Sequence, residues 1–135
     1  MRRSLERENS GAAILADRGH RVEQNPTADE VARARQETGD SGRPTSKPDY
    51  LIEGRVFDCY SPSQHKGVRG IWSQVETKIK DEQTQRVVVN LEDWRGNVAD
   101  LRRQFQAWPI EHLKEVKVIT PEGDIVQITP NPEDG

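Results

Sequence analysis

A mixed α/β sheet with helices on its faces is the fold class that the sequence predicts, and three observations carry it. Val68, Ile71, Trp72, Val75 and Ile79 recur at helical spacing. Three consecutive valines, Val87 to Val89, sit between helical stretches, as in a strand covered on both sides. Two β-rich segments are folded about turn residues, Glu53-Gly54 and Pro121-Glu122-Gly123. The resulting order is helix, strand, helix, two strands, helix, strand, helix, two strands, without internal repeat.

The elements follow in turn. Leu5 to Arg18 reads as a helix with Leu5, Ala12, Leu15 and Ala16 inward and Gly19 as its C-cap. Glu8 falls within that apolar stripe, where an ionised carboxylate is unfavourable unless paired or bound to a cation. Arg21 to Gln24 leads out as a short strand, and Thr27 or Asp29 caps a polar helix through Gln36. The run GDSGRPTSK has loop composition and places a mobile loop at 37–47. Strands are expected at Tyr50–Ile52 and Arg55–Tyr60, a helix from Val68 to about Glu82, and the valine strand at Arg86–Leu91. Asn97 to Trp108 is a helix stopped by Pro109, with Trp72 and Trp108 on buried stripes. A hairpin, Glu115–Thr120 with Asp124–Thr129, closes a domain spanning 1–130, and 131–135 is expected as a disordered tail.

The chain has 135 residues, the size of one ordinary domain. It contains no apolar run long enough to span a membrane and no signal-peptide core at its N-terminus. The single cysteine, Cys59, excludes an internal disulfide and a sulfur-based zinc site, and reads as a small core hydrophobe. His20, His65 and His112 lack metal-ligand spacing; only His65, in the loop after Asp58, stays in view. A net charge of −3 argues against nonspecific coating of nucleic acid. Residues 43–80 are nevertheless locally basic, and Lys47, Lys66 and Arg69 within them are candidates for binding substrate phosphates.

The most informative pattern is local. A hairpin about Glu53-Gly54 sets Asp49 directly opposite Asp58, and like charges so placed destabilise a sheet unless something offsets them. A divalent cation on hard carboxylate oxygens, Mg2+ or Mn2+, would do so; two solvated acids on an exposed face are the plain alternative. Of the basic residues on the third helix, Lys78 lies at the edge of the apolar stripe and can reach inward, whereas Lys80 points away.

Glu8, Asp49, Asp58 and Lys78 together resemble the PD-(D/E)xK arrangement of restriction-endonuclease-like nucleases. Longer strings are more specific: RENSGAAILADRG with VEQNP, KPDYLIEGRVFDCYSP, VVVNLED and LRRQFQAWPIEHLKEVKVI. They resemble the C-terminal tRNase domain of CdiA-type contact-dependent growth-inhibition toxins, over about Glu6 to Ile119. That resemblance implies a restriction-endonuclease-like fold and an endoribonuclease that cuts tRNA. It implies delivery as the end piece of a larger secreted or cell-surface protein, action in the target-cell cytoplasm, and a cognate immunity protein. Glu8, Asp49, Asp58 and Lys78 would be catalytic. Asp49, Asp58 and Glu8 would hold a divalent metal, Mg2+ or Mn2+, and Glu53 is a further candidate ligand; RNA cleavage without metal, by the 2′-hydroxyl, is the other route. The pattern departs at Glu53-Gly54-Arg55, where arginine stands in place of the usual lysine. A DNA endonuclease of the same fold and a non-catalytic nucleic-acid or partner-binding module are the competing readings.

Overall fold

A computed structural model describes residues 2–130, so the expected tail at 131–135 lies outside the described residues. The elements are α1 (Arg2–Asp17), β1 (Val22–Gln24), α2 (Ala28–Thr38), β2 (Tyr50–Ile52), β3 (Arg55–Tyr60), α3 (Val68–Lys80), β4 (Arg86–Asn90), α4 (Val98–Ala107), β5 (Glu115–Ile119) and β6 (Ile125–Thr129). This is the predicted order. One six-stranded sheet runs β1-β2-β3-β4-β5-β6. Its central pairs, β3–β4 and β4–β5, are parallel and its outer pairs antiparallel. The parallel pairs are joined by crossovers through α3 and α4, because a strand cannot return parallel through a tight turn.

Alternation along the strands sends successive side chains to opposite faces. Val87, Val89, Val116 and Val118 pack with Ile71, Val75 and Ile79 of α3 and Leu101 and Phe105 of α4. Phe57, Val88, Ile119, Tyr50 and Ile52 pack on the other face with Ala12 and Leu15 of α1. Burial on both faces explains the unbroken valine run, each fully buried side chain contributing about 1.5–3 kcal/mol. Val31 and Ala34 of α2 cover Leu51 and Val56. Thr27 and Glu30 form a reciprocal capping box that starts α2, and Gly39 in the left-handed region ends it.

The β2–β3 hairpin has the expected two-residue turn. Glu53 and Gly54 both take positive φ, 51° and 74°, the twist that a tight antiparallel hairpin needs. Tyr50 then pairs with Phe57 and Ile52 with Arg55.

Some burial expectations are corrected. The inward line of α1 is centred on Gly11, Ala12 and Leu15, while Ala16 is exposed and Leu5 is 54% exposed. A side-chain carbon at Gly11 would stand 2.9 Å from the Tyr50 hydroxyl, so α1 passes close against the sheet here. Trp108 is 64% exposed and Trp94 is the buried tryptophan, at 3%. The reason is the end of α4: Trp108 leaves helical geometry (φ −129°, ψ 75°), so the helical phase that would have carried it inward stops one residue earlier.

Candidate active site

Two alternations and one helix phase assemble the site. Val56 and Asp58 lie two residues apart on β3, so Asp58 faces the side covered by α2 and α3, where it is 5% exposed. Lys78, in the last turn of α3, brings its Nζ to 3.5 Å from Asp58 Oδ2. Lys80 points the other way and pairs with Glu76, as the helix phase predicts.

Asp49 directly precedes β2, one position beyond the Tyr50–Phe57 pair. Its Oδ2 accepts the Cys59 backbone N–H at 2.7 Å, which turns the carboxylate onto the end of β3. The Asn25 N–H donates to its backbone oxygen at 2.9 Å, continuing the β1 ladder. Glu8 arrives from α1, the helix on the other face. The Tyr50 hydroxyl donates to the Glu8 backbone oxygen at 2.6 Å, and Asn90 Nδ2 donates to the Arg7 oxygen at 3.0 Å. Those two bonds fix the turn of α1 that carries Glu8.

The electrostatics are those of crowded acids. Burial pushes the Glu8 carboxyl up to about 7, helped by its hydrogen bond with Asp49 and by the charges of Asp49 and Asp58, against the pull of Lys78. Burial also raises Asp58 to about 6, with Lys78 opposing and the Asp49 charge adding to the rise. Burial pushes the Cys59 thiol up to about 12, which removes it as a nucleophile at neutral pH. Glu8, Asp49, Asp58 and Lys78 therefore act on one another, from four separate segments of the chain. The arrangement can hold a proton near neutrality on Glu8 and sets the Lys78 ammonium beside a buried carboxylate.

Other candidates lie elsewhere. Glu53 is not a partner of Asp49: it occupies the hairpin turn, where Oε1 accepts the Arg21 N–H at 2.6 Å. Its positive φ breaks the straight strand on which joining Asp49 depended. Arg55, at the triplet's lysine position, is half exposed and lies 3.9 Å from Glu115. Among the described residues no three histidine, cysteine, aspartate or glutamate side chains form a ready metal cage. The oxygen donors of Glu8, Asp49 and Asp58 are nonetheless of the type that Mg2+ and Mn2+ prefer, and their mutual repulsion is what a cation would relieve. Lys47 lines a cleft beside Asp58. Lys66 instead folds along the start of α3, its Cε 2.8 Å from where a Gly70 side chain would begin, and Arg69 is exposed on that helix. His65 and His112 are exposed.

Sequence reasoning missed Arg35. Its guanidinium, on the inner side of α2, interacts electrostatically with both Asp58 and Asp40. It donates to the Arg43 oxygen and Ser46 Oγ, each at 3.2 Å, and to the Gln83 oxygen at 3.0 Å. A basic residue one position beyond buried Ala34 was the only available signal. The segment expected to be a mobile loop, 37–47, begins in the last turn of α2 and is held by these bonds, with Asp40 buried against Arg86 and Lys114.

With this geometry in view, comparison with known proteins gives three matches. A family model described as the contact-dependent growth inhibition CdiA C-terminal domain matches residues 46–125. A curated protein named tRNA nuclease CdiA-2, from Burkholderia pseudomallei strain 1026b, is 38% identical over 128 residues. That match covers 95% of this chain and 4% of the relative. A solved structure titled as a CdiA-CT/CdiI toxin and immunity complex from Burkholderia pseudomallei superposes with a TM-score of 0.79 at 36% identity. It covers 95% of this chain and 86% of that one.

Proposed function

We propose a tRNA-cleaving toxin activity from one premise: the chain belongs to the family of contact-dependent growth inhibition CdiA C-terminal domains. The observation that carries the proposal is the meeting of Glu8, Asp49, Asp58 and Lys78, with Lys78 3.5 Å from Asp58 and the Glu8 carboxyl raised by burial and by the neighbouring Asp49 and Asp58. The 38% identical relative is named a tRNA nuclease, which supports RNA as substrate over DNA.

In this reading Glu8, poised near pH 7, takes the proton of the attacking water. The new bond forms between that oxygen and phosphorus, the bond to the 3′ oxygen breaks, and the leaving oxygen takes up a proton from solvent to end as a hydroxyl while Glu8 returns its own to solvent. Lys78 offsets the charge that builds on the phosphoryl oxygens. Asp58 holds the Lys78 ammonium at the site, and Asp49 is itself fixed by the Cys59 N–H and orients Glu8. A divalent ion held by Asp49 and Asp58 would polarise the phosphate and ease deprotonation of the water beside Glu8.

The similar solved structure is titled as a toxin and immunity complex, which supports a cognate immunity protein as partner. The chain corresponds to 4% of its curated relative, which supports delivery as one part of a much larger protein. Entry into the cytoplasm of a target cell belongs to the same proposal. No helix among the described residues is long and apolar enough to cross a membrane.

The test is incubation of purified protein with total tRNA, with and without chelator, followed by end-group analysis. Cleavage that needs divalent metal and leaves 5′-phosphates is expected. A 2′,3′-cyclic phosphate end that persists in chelator transfers the nucleophile to the RNA 2′-hydroxyl. Cleavage of a 2′-deoxy substrate with tRNA left intact overturns the reading.

A further inference from the structure

The strap at 39–47 forms one wall of a cleft of about 240 Å3 whose lining is Arg43, Thr45, Ser46, Lys47, Gln83 and Asp58. That is smaller than the ~300–1,000 Å3 usual for drug-sized ligands, and the lining has no apolar side chain large enough to receive a base. It presents two cations and two hydroxyls, and its only acid is already faced by Lys78. Among the described residues neither the Arg43 nor the Lys47 side chain has an ion-pair partner, and both residues are exposed. A guanidinium fork, an ammonium and hydroxyl donors around a small open space match the oxygens of one phosphodiester.

The strap does not reach this position by chance. Asp40 fixes its start, with Oδ2 2.8 Å from Arg86 Nε and Oδ1 2.8 Å from Lys114 Nζ. The Arg43 N–H donates to the Glu82 oxygen at 2.6 Å, tying the middle to the end of α3. Arg35 passes beneath and bonds Arg43, Ser46 and Gln83, three of the residues that line the cleft. Gly42 is what lets it pass: a side-chain carbon there would lie 2.4 Å from the Arg35 guanidinium carbon.

We propose that this cleft binds an uncleaved phosphate of the RNA backbone beside the scissile one, through Arg43 and Lys47, with Arg35 as the positioning residue that holds the strap. The proposal rests on the nuclease reading for the identity of the ligand, while its geometry is independent of that reading. Binding of this kind adds affinity and register but carries no sequence information. It also balances the acidic cluster, which alone would repel the substrate.

The test measures binding of total tRNA to Asp49→Ala protein across a KCl series, with and without Arg43→Gln plus Lys47→Gln, alongside cleavage kinetics in the Asp49 background. About tenfold weaker binding for each cation removed is expected, and the salt slope should fall by about one for each phosphate no longer neutralised. Gly42→Ala, which displaces the Arg35 guanidinium, should weaken binding and raise KM more than it lowers kcat, with thermal melting showing a folded protein. Arg35→Lys, keeping charge and some donors, should recover part of the binding that Arg35→Gln forfeits. Unchanged affinity and salt slope in the folded Arg43/Lys47 double variant overturn the cleft assignment and leave the nuclease reading standing. Binding that falls as expected in a protein that never cuts tRNA sustains the cleft and sinks the nuclease reading.

Discussion

Two charge clusters flank the same strap and are built from the same residue types, yet they are tuned in opposite directions. In one, Asp40 and Glu115 are held by Arg86, Lys114 and Lys117 at 2.5 to 3.1 Å. Burial alone would raise both carboxyls, but the hydrogen bonds and charges of those cations leave them below the ordinary carboxylate range. In the other, Glu8, Asp49 and Asp58 share Lys78, and burial prevails, bringing Glu8 to about 7 and Asp58 to about 6. The direct ion pairs differ: among the described residues Lys78 is the one cation that pairs with the second cluster, against Arg86, Lys114 and Lys117 in the first, so burial is left less opposed there. A fully compensated cluster fixes structure, whereas an undercompensated one keeps protons exchangeable near neutral pH, the condition for acid–base work.

The contrast can be broken most forcefully at the undercompensated cluster. Asp49→Ala is expected to lower the rate of tRNA cleavage about 10³-fold or more, while its melting temperature stays within a few degrees of the parent. Unfolding in urea would expose the opposite outcome, a stability loss with little specific effect on the site.

Arg86→Met attacks the compensated cluster. It strands Asp40 and Glu115 beside fewer cations and should destabilise the fold by about 3–5 kcal/mol, read from the midpoint of urea denaturation. A loss under about 1 kcal/mol, the scale of an ordinary surface pair, would show that this network is not structural.

The pH profile refines the difference further. If Glu8 is the base, and Asp58 is kept ionised at lower pH by a bound cation, the upper limb of kcat/KM should climb through about pH 7 before levelling. Glu8→Gln should remove the upper limb from whatever activity remains. A rate that falls as pH rises through 7 would make Glu8 the acid instead of the base.

The mildest change is in stability. The Glu8 carboxyl is raised in the folded protein above its ordinary value near 4.5, so its favourable contribution is complete below that value and is lost as pH rises through about 7. Glu8→Gln should therefore stabilise the protein at pH 8, by about 1 kcal/mol once solvent screening of this partly exposed group is allowed for, and do little at pH 4. Differential scanning calorimetry at the two pH values checks the sign.

Local pattern carried most of the fold, because each element's period agrees with its place in the sheet. Asp58 and Lys78 were legible for the same reason: strand alternation and helix phase are rigid rules, and both residues sit inside regular elements. Glu8 was legible as a charge out of place on an apolar stripe. Glu53 and Trp108 were misread where a regular element stops, one at a turn with positive φ and the other at a helix end. Arg35 and the strap stayed hidden because their roles depend on bonds to Gln83 and Arg86, residues far along the chain, which no local pattern reports. Loop composition at 39–47 correctly denied it helix and strand, but said nothing of the ion pairs that tie it down.

Whether Lys78 serves the acidic cluster is decided by comparing cleavage of one tRNA preparation by Lys78→Ala and Lys80→Ala proteins. Cutting should vanish in the first and keep the parent rate in the second. An active Lys78→Ala protein beside an inactive Lys80→Ala protein would contradict that assignment.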